Sequence, residues 1–311
     1  VAVTGVQTCA LPISDNSVYA RTLVRALENS GYFRVVRELK SEAEAERALA
    51  EGSVQFVVTI PENFSRKLER GEKPVLLVEA DATDPAATSN ALAALLTINQ
   101  TALNRDLNGT LDALKYQPPA FELRVQRRYN PEGITQYNIV PGLIGVVLTM
   151  TMVMMTSLAV TRENERGTME NLLATPVRPM EVMVGKIVPY IIVGYIQVTV
   201  ILVAARVLFS VPMLGNLALL SVVLVLFIAA NLSIGYTFST LAKSQMQAMQ
   251  MTFFFFLPSM LLSGFMFPFR GMPQWAQMLG EILPLTHFLR IVRGILLKGN
   301  GLPEIFPNMW P

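Results

Sequence analysis

Among 311 residues there is one cysteine and one histidine, and only 15% of the side chains are charged. The single Cys9 excludes an intrachain disulfide framework and a multi-cysteine zinc site, and the single His287 excludes two- and three-histidine catalytic metal centres. No G-x-x-x-x-G-K-[ST] run occurs, so the chain lacks a P-loop with which to bind ATP. An H-E-x-x-H helix and a G-x-S-x-G elbow are also missing, which removes the usual marks of a hydrolase. The net charge is +2, and in residues 1–136 the 15 Lys/Arg are outnumbered by 17 Asp/Glu, so there is no basic field for nucleic acid.

What the chain has instead is apolar length, with 52% hydrophobic residues. Residues 137–311 carry only 10 Lys/Arg and 6 Asp/Glu, and charge is absent from 133–161, 187–205, 207–242 and 244–269. Each run approaches or exceeds the roughly 20 residues that cross a hydrocarbon core of about 30 Å. Spans are expected at about 139–160, 183–208, 216–240 and 246–268. Residues 271–299 differ: Pro273 and Pro284 bound two short amphipathic stretches bearing Trp275, His287, Arg290, Arg293 and Lys298, which read as re-entrant or interfacial helices.

Residues 15–136 have the charge of a soluble module and the alternating helix and strand periods of an α/β domain. Helices are expected at Ser17–Ser30, at Ser41–Glu51 with Ser41 and Glu44 as a capping box, at Glu62–Arg70 and from Asp84 to about Leu107. Strands are expected at Phe33–Leu39, Gln55–Ile60, Pro74–Ala80 and Phe121–Arg127. Asp81 and Asp84 read as turn and cap residues. The opening VAVTGVQTCALPIS is too short to cross a membrane and resembles translated sequencing-adaptor sequence, so residues 1–14 are expected to be a non-native leader and the chain a fragment. The fold class expected is therefore a polytopic α-helical membrane protein with an N-terminal α/β domain, four complete spans and re-entrant helices.

Half of the charge in the apolar part, eight of sixteen residues, collects between Arg162 and Lys186. A helix over Arg162–Thr175 would place Met169, Leu172 and Leu173 on one face, with Arg162, Glu163, Glu165, Arg166 and Glu170 around it, before Pro176 and Pro179 end it. The Lys/Arg of this segment, together with Lys243, favour a cytoplasmic side for both loops. Residues 15–136 would then be extracytoplasmic.

The stretch ENERGTMENLLATPVRPMEVMVGK resembles the first cytoplasmic loop of the type-2 ABC exporter permeases, matching at Glu163, Glu165, Gly167, Thr168, Glu170, Leu172, Leu173, Thr175, Pro176, Glu181, Gly185 and Lys186. IPENFSRKLERGEKP, YNPEGITQYNIVPGLIGVVL and PLTHFLRIVRGILLKG add to the resemblance, the last with His287 where the family has tyrosine. It covers about residues 15–311, and the first and last spans of such permeases are lacking. The resemblance implies an inner-membrane exporter subunit, not itself an enzyme, that moves a hydrophobic or amphipathic compound. A coupling helix containing Arg162, Glu163, Glu165, Arg166, Gly167, Thr168, Glu170, Leu172, Leu173 and Pro176 would dock on a separate ATPase subunit, which holds the ATP and magnesium. It also implies a second permease copy and leaves room for a periplasmic adaptor.

Two other readings fit less well. An ion-coupled carrier would place ionisable residues inside its spans, and these spans hold none well inside, Lys186 and Arg206 lying near the ends of theirs. A membrane-anchored sensor with a binding ectodomain leaves the many spans unexplained. Tyr190, Gln197, Asn231, Phe254 and Met260 are candidates for a substrate path. Intramembrane polar groups also make interhelical hydrogen bonds, and the Phe253–Phe256 run with Met249, Met251 and Met260 would suit a dimer seam as well as a cargo. Ala229 and Ser233, four residues apart, fit a close helix crossing.

Overall fold

The computed structural model describes residues 7–11, 17–39, 41–103, 119–167 and 179–309. They fall into two compact units, Val1–Thr135 with Arg270–Pro273, and Gln136–Phe269 with Gln274–Pro311.

The first unit is a mixed five-stranded sheet with helices. In chain order it runs β1 (Gln7–Leu11), α1 (Val18–Asn29), β2 (Phe33–Glu38), α2 (Glu42–Glu51), β3 (Phe56–Thr59), α3 (Phe64–Glu69), β4 (Val75–Asp81), α4 (Pro85–Thr101) and β5 (Glu122–Arg128). The spatial order is β2-β1-β3-β4-β5, with β1 parallel to β2 and β3, β3 antiparallel to β4, and β4 parallel to β5. Local chemistry explains the helix starts. Ser41 Oγ accepts the Glu44 N–H, and Asp84 Oδ1 accepts the N–H groups of Ala86 and Ala87, so otherwise orphaned donors are met before Pro85 begins α4. Asp81 Oδ1 closes a turn on the amide and hydroxyl of Thr83. The core is aromatic, with Phe33 edge-on to Phe56 at 5.4 Å and Phe64 against Phe121 at 5.9 Å.

Gln7–Leu11, within the stretch expected to be a non-native leader, form β1, and Cys9 is fully buried between the neighbouring strands. Burial pushes its thiol pKa up to about 12. Across β4 and β5, Arg128 Nε and Nη2 both donate to Oε1 of buried Glu79, at 2.9 and 2.5 Å. Asn130 then locks the turn that follows: its Nδ2 donates to Ile134 O, and its Oδ1 accepts the Ile134 N–H.

The second unit is helical: α5 (Thr135–Glu165), α6 (Pro179–Phe209), α7 (Leu217–Leu241), α8 (Gln245–Leu262), α9 (Gln274–Glu281), α10 (Pro284–Arg293), a π-turn over Gly294–Lys298, and α11 (Leu302–Met309). Among the described residues, three helices are long and apolar enough to cross a membrane: Thr135–Glu163, Ile187–Phe209 and Leu217–Leu241. The fourth expected span, 246–268, is helical only as far as Leu262, and Gln245, Gln247 and Gln250 make its first turns polar without adding charge.

Glycines set the close approaches. A Cβ on Gly235 of α7 would lie 2.7 Å from Val153 O and 2.9 Å from Thr156 Cβ of α5. Gly194 of α6 meets Ile228 of α7 in the same way, and Gly145 of α5 admits Leu285 and Phe288 of α10. Phe288 also stacks on Phe227 of α7 at 3.9 Å. The small pair Ala229 and Ser233 faces outward, so the tight crossing lies at Gly235 instead.

Candidate functional site

The charged end of α5 is where sequence and structure meet. Arg162, Glu165, Arg166 and Gly167 are exposed and Glu163 is half-buried. Gly167 adopts φ +68°, the left-handed conformation that ends helices, and the Arg166 N–H bonds back to Arg162 O. Thr168, Glu170, Leu172, Leu173 and Pro176 lie outside the described residues.

Glu165, the last helical residue of α5, has a partner that the sequence did not suggest. Its Oε1 accepts the backbone N–H of Gln245 at 2.9 Å, and its Oε2 accepts the Gln245 side-chain amide at 2.5 Å. Gln245 is the first residue of α8, and Ser244 is its N-cap, accepting the Gln247 N–H at 3.2 Å. Gln247 Oε1 reaches back to the Lys243 N–H at 2.8 Å. The Glu165 carboxylate thus sits at the positive end of the α8 dipole and meets a donor that the helix leaves open. The Gln245 side-chain hydrogen bond, then its backbone N–H, and to a lesser degree nearby Arg166, hold the carboxyl below the usual glutamate range. It is charged at neutral pH.

The candidate path residues do not share one lining. Tyr190 and Met260 are half-buried against the same apolar core. Gln197 Oε1 accepts the Thr151 hydroxyl at 3.0 Å, joining α6 to α5, and the Tyr195 hydroxyl donates to Ser221 O at 3.0 Å, joining α6 to α7. Asn231 is buried, and its amide donates to Phe227 O of its own helix. Phe254 is 79% exposed on the outer face of α8. Most hydroxyls of these helices turn inward on their own backbone: Thr149, Thr199, Ser233, Thr237, Thr252 and Ser259 each donate to the carbonyl four residues earlier. The buried hydroxyls of Thr156 and Ser157 on α5 have no partner among the described residues.

A second polar cluster joins α9 to α10. Arg290 grips Glu281 with two hydrogen bonds, at 3.1 and 2.7 Å, and lies over the Phe269 ring at 4.5 Å. His287 Nε2 is 2.7 Å from Glu281 O, so it carries the proton and donates. Thr286 donates to Gly280 O. These bonds fasten the two short helices to each other. Among the described residues, no group of three or more His, Cys, Asp or Glu could hold a metal ion.

Comparison with known proteins identifies the relatives of this chain. The family model described as ABC-2 family transporter protein matches residues 6–310. The probable multidrug ABC transporter permease YbhR of Escherichia coli is 31% identical over 304 residues, covering 98% of this chain and 81% of that protein. The inner membrane transport permease YhhJ of E. coli is 30% identical over 282 residues, covering 87% and 72%. The linearmycin resistance permease protein LnrN of Bacillus subtilis is 23% identical over 315 residues, covering 95% and 81%. No solved structure matches.

Proposed function

This chain belongs to the ABC-2 family of transporter proteins, and from that premise we propose how it works as the membrane subunit of an exporter. The observation that carries the reading is the charged segment that opens at Arg162–Gly167, set between two of the most apolar helices, with mean hydropathy 2.2 each. A loop so placed is a surface for another protein, and since the chain has no P-loop, that protein is the ATPase. The segment 161–182 docks on the ATPase subunit. Closure of the ATPase around nucleotide then rocks two permease copies between inward and outward states.

In this reading the loops at 161–182 and around Lys243 are cytoplasmic, the α/β unit is extracytoplasmic, and α8 is a fourth span that begins with its glutamines at the interface. The short helices from 271 to 299 dip into the outer leaflet. The membrane is the bacterial inner membrane, and the cargo is hydrophobic or amphipathic. That class follows from spans with no ionisable group well inside, and from relatives named for multidrug and linearmycin resistance transport.

The test is to affinity-purify the intact permease from its source membrane and to measure ATP-driven uptake of a lipophilic dye into inverted vesicles. An ABC ATPase subunit should copurify, and uptake should need ATP and survive collapse of the proton gradient. Uptake driven by the gradient with no ATPase bound would point to the ion-coupled carrier.

A further inference from the structure

The segment assigned to ATPase docking includes Glu165, yet this side chain is engaged inside its own subunit. Both carboxylate oxygens are taken by Gln245, whose position is 80 residues further along the chain. We infer that Glu165 is a positioning residue, a joint that hands the movement of the coupling segment to α8, and not a contact to the ATPase. The inference rests on the exporter reading above.

Three observations support it. Glu165 is the last residue of α5 before Gly167 turns the chain, so displacement of the following segment arrives at this side chain first. Its partner is the N-terminus of α8, where one bond goes to a backbone N–H and so follows the helix itself, not a mobile side chain. Finally, α8 is built to respond. Pro258 lies inside it and cannot donate a helical hydrogen bond, and Phe253, Phe254, Leu257 and Leu261 around that weak point are exposed. A pull at Gln245 therefore acts on a helix able to bend where its aromatic face is presented. Around the joint, Ser244 and Gln247 satisfy the neighbouring donors, so the first turn moves as a unit.

The experiment uses the intact permease with its ATPase, in proteoliposomes. Gln245→Pro is the decisive variant, because proline is favoured at the first helical position and removes both the N–H and the amide without breaking α8. Glu165→Ala removes the other half, and Glu165→Gln keeps the shape and one acceptor. The joint predicts that Gln245→Pro retains the ATPase on copurification and retains basal hydrolysis but loses substrate-stimulated transport by about tenfold or more, and that Glu165→Ala loses transport by a similar factor. The double variant should be no worse than either single one, because both cut the same link. Glu165→Gln should recover much of the loss. If Glu165 instead touches the ATPase, Glu165→Ala will shed that subunit while Gln245→Pro transports normally, and the proposal is overturned. Normal transport by both single variants overturns it too. Failure of the exporter reading looks different: the wild-type permease itself would bind no ATPase.

Discussion

Replacing Arg128 by alanine should open the α/β unit far more often than replacing its partner does. Glu79 projects from β4 with its side chain 8% exposed, whereas the Arg128 side chain on edge strand β5 is 37% exposed. Removing one member of a fully buried pair costs about 3–5 kcal/mol, because the other charge is stranded. Here the guanidinium is partly in water, which screens the pair, and about 2 kcal/mol is the reasoned cost of Arg128→Ala. Glu79→Ala should cost less, about 1 kcal/mol, since the long arginine side chain can swing its head into solvent. Cys9 supplies the assay: it is the only cysteine and is 0% exposed, so maleimide reaches it only when the sheet opens. When opening is in rapid equilibrium, 2 kcal/mol raises the labelling rate about 30-fold. The double variant Glu79→Leu/Arg128→Leu should return to within a few-fold of wild type, because two apolar groups leave no stranded charge. A change below about threefold for Arg128→Ala, or a larger effect from Glu79→Ala, would refute the argument.

Gly235→Ala should lower the thermal midpoint of the detergent-solubilised chain, at a cost of about 1–3 kcal/mol, because its Cβ meets a backbone carbonyl that cannot give way. Gly185→Ala, with nothing within 4 Å of its Cβ, should leave the midpoint unchanged or raise it, because alanine favours a helix over glycine, and equal midpoints for the two variants would contradict the assigned crossing. The α/β unit should also lose stability in alkali. Burial raises both the Cys9 thiol and the Tyr129 phenol to about 12, so each favours the folded state fully below its unfolded value, about 8.5 or 10. That contribution fades as pH climbs toward 12, and limited proteolysis of the unit should accelerate from about pH 9 upward. A flat profile from pH 8 to 11 would count against buried, protonated groups.

Much of the fold is legible along the chain because its causes are local. Ser41 and Asp84 cap the helices that their positions suggest, and the apolar runs of α5, α6 and α7 reveal themselves by length alone. Features that depend on distant partners are not legible. The five residues of β1 are too few to show a period, and they become a strand because β2 and β3 flank them. Counting charges overlooks glutamine, so the polar first turns of α8 do not show in a charge-free run. A small-residue spacing cannot tell which way a helix face points, which is why Ala229 and Ser233 suggest a crossing that Gly235 makes. Glu165 illustrates the same limit at the site. Its charge and position mark the loop, but whether it bonds a partner protein or Gln245 is decided by folding.

The hydroxyls that bond their own helices have a chemical consequence for any group that meets them. A serine or threonine that has given its proton to a backbone carbonyl has only lone pairs left, so Thr149, Thr252 and Ser259 can accept a hydrogen bond from a guest but cannot donate one. Asn231 differs: one N–H of its amide goes to Phe227 O, and the amide carries a second N–H as well as its carbonyl oxygen. Such hydroxyls are blind to ethers and esters, and they register amines and other N–H groups.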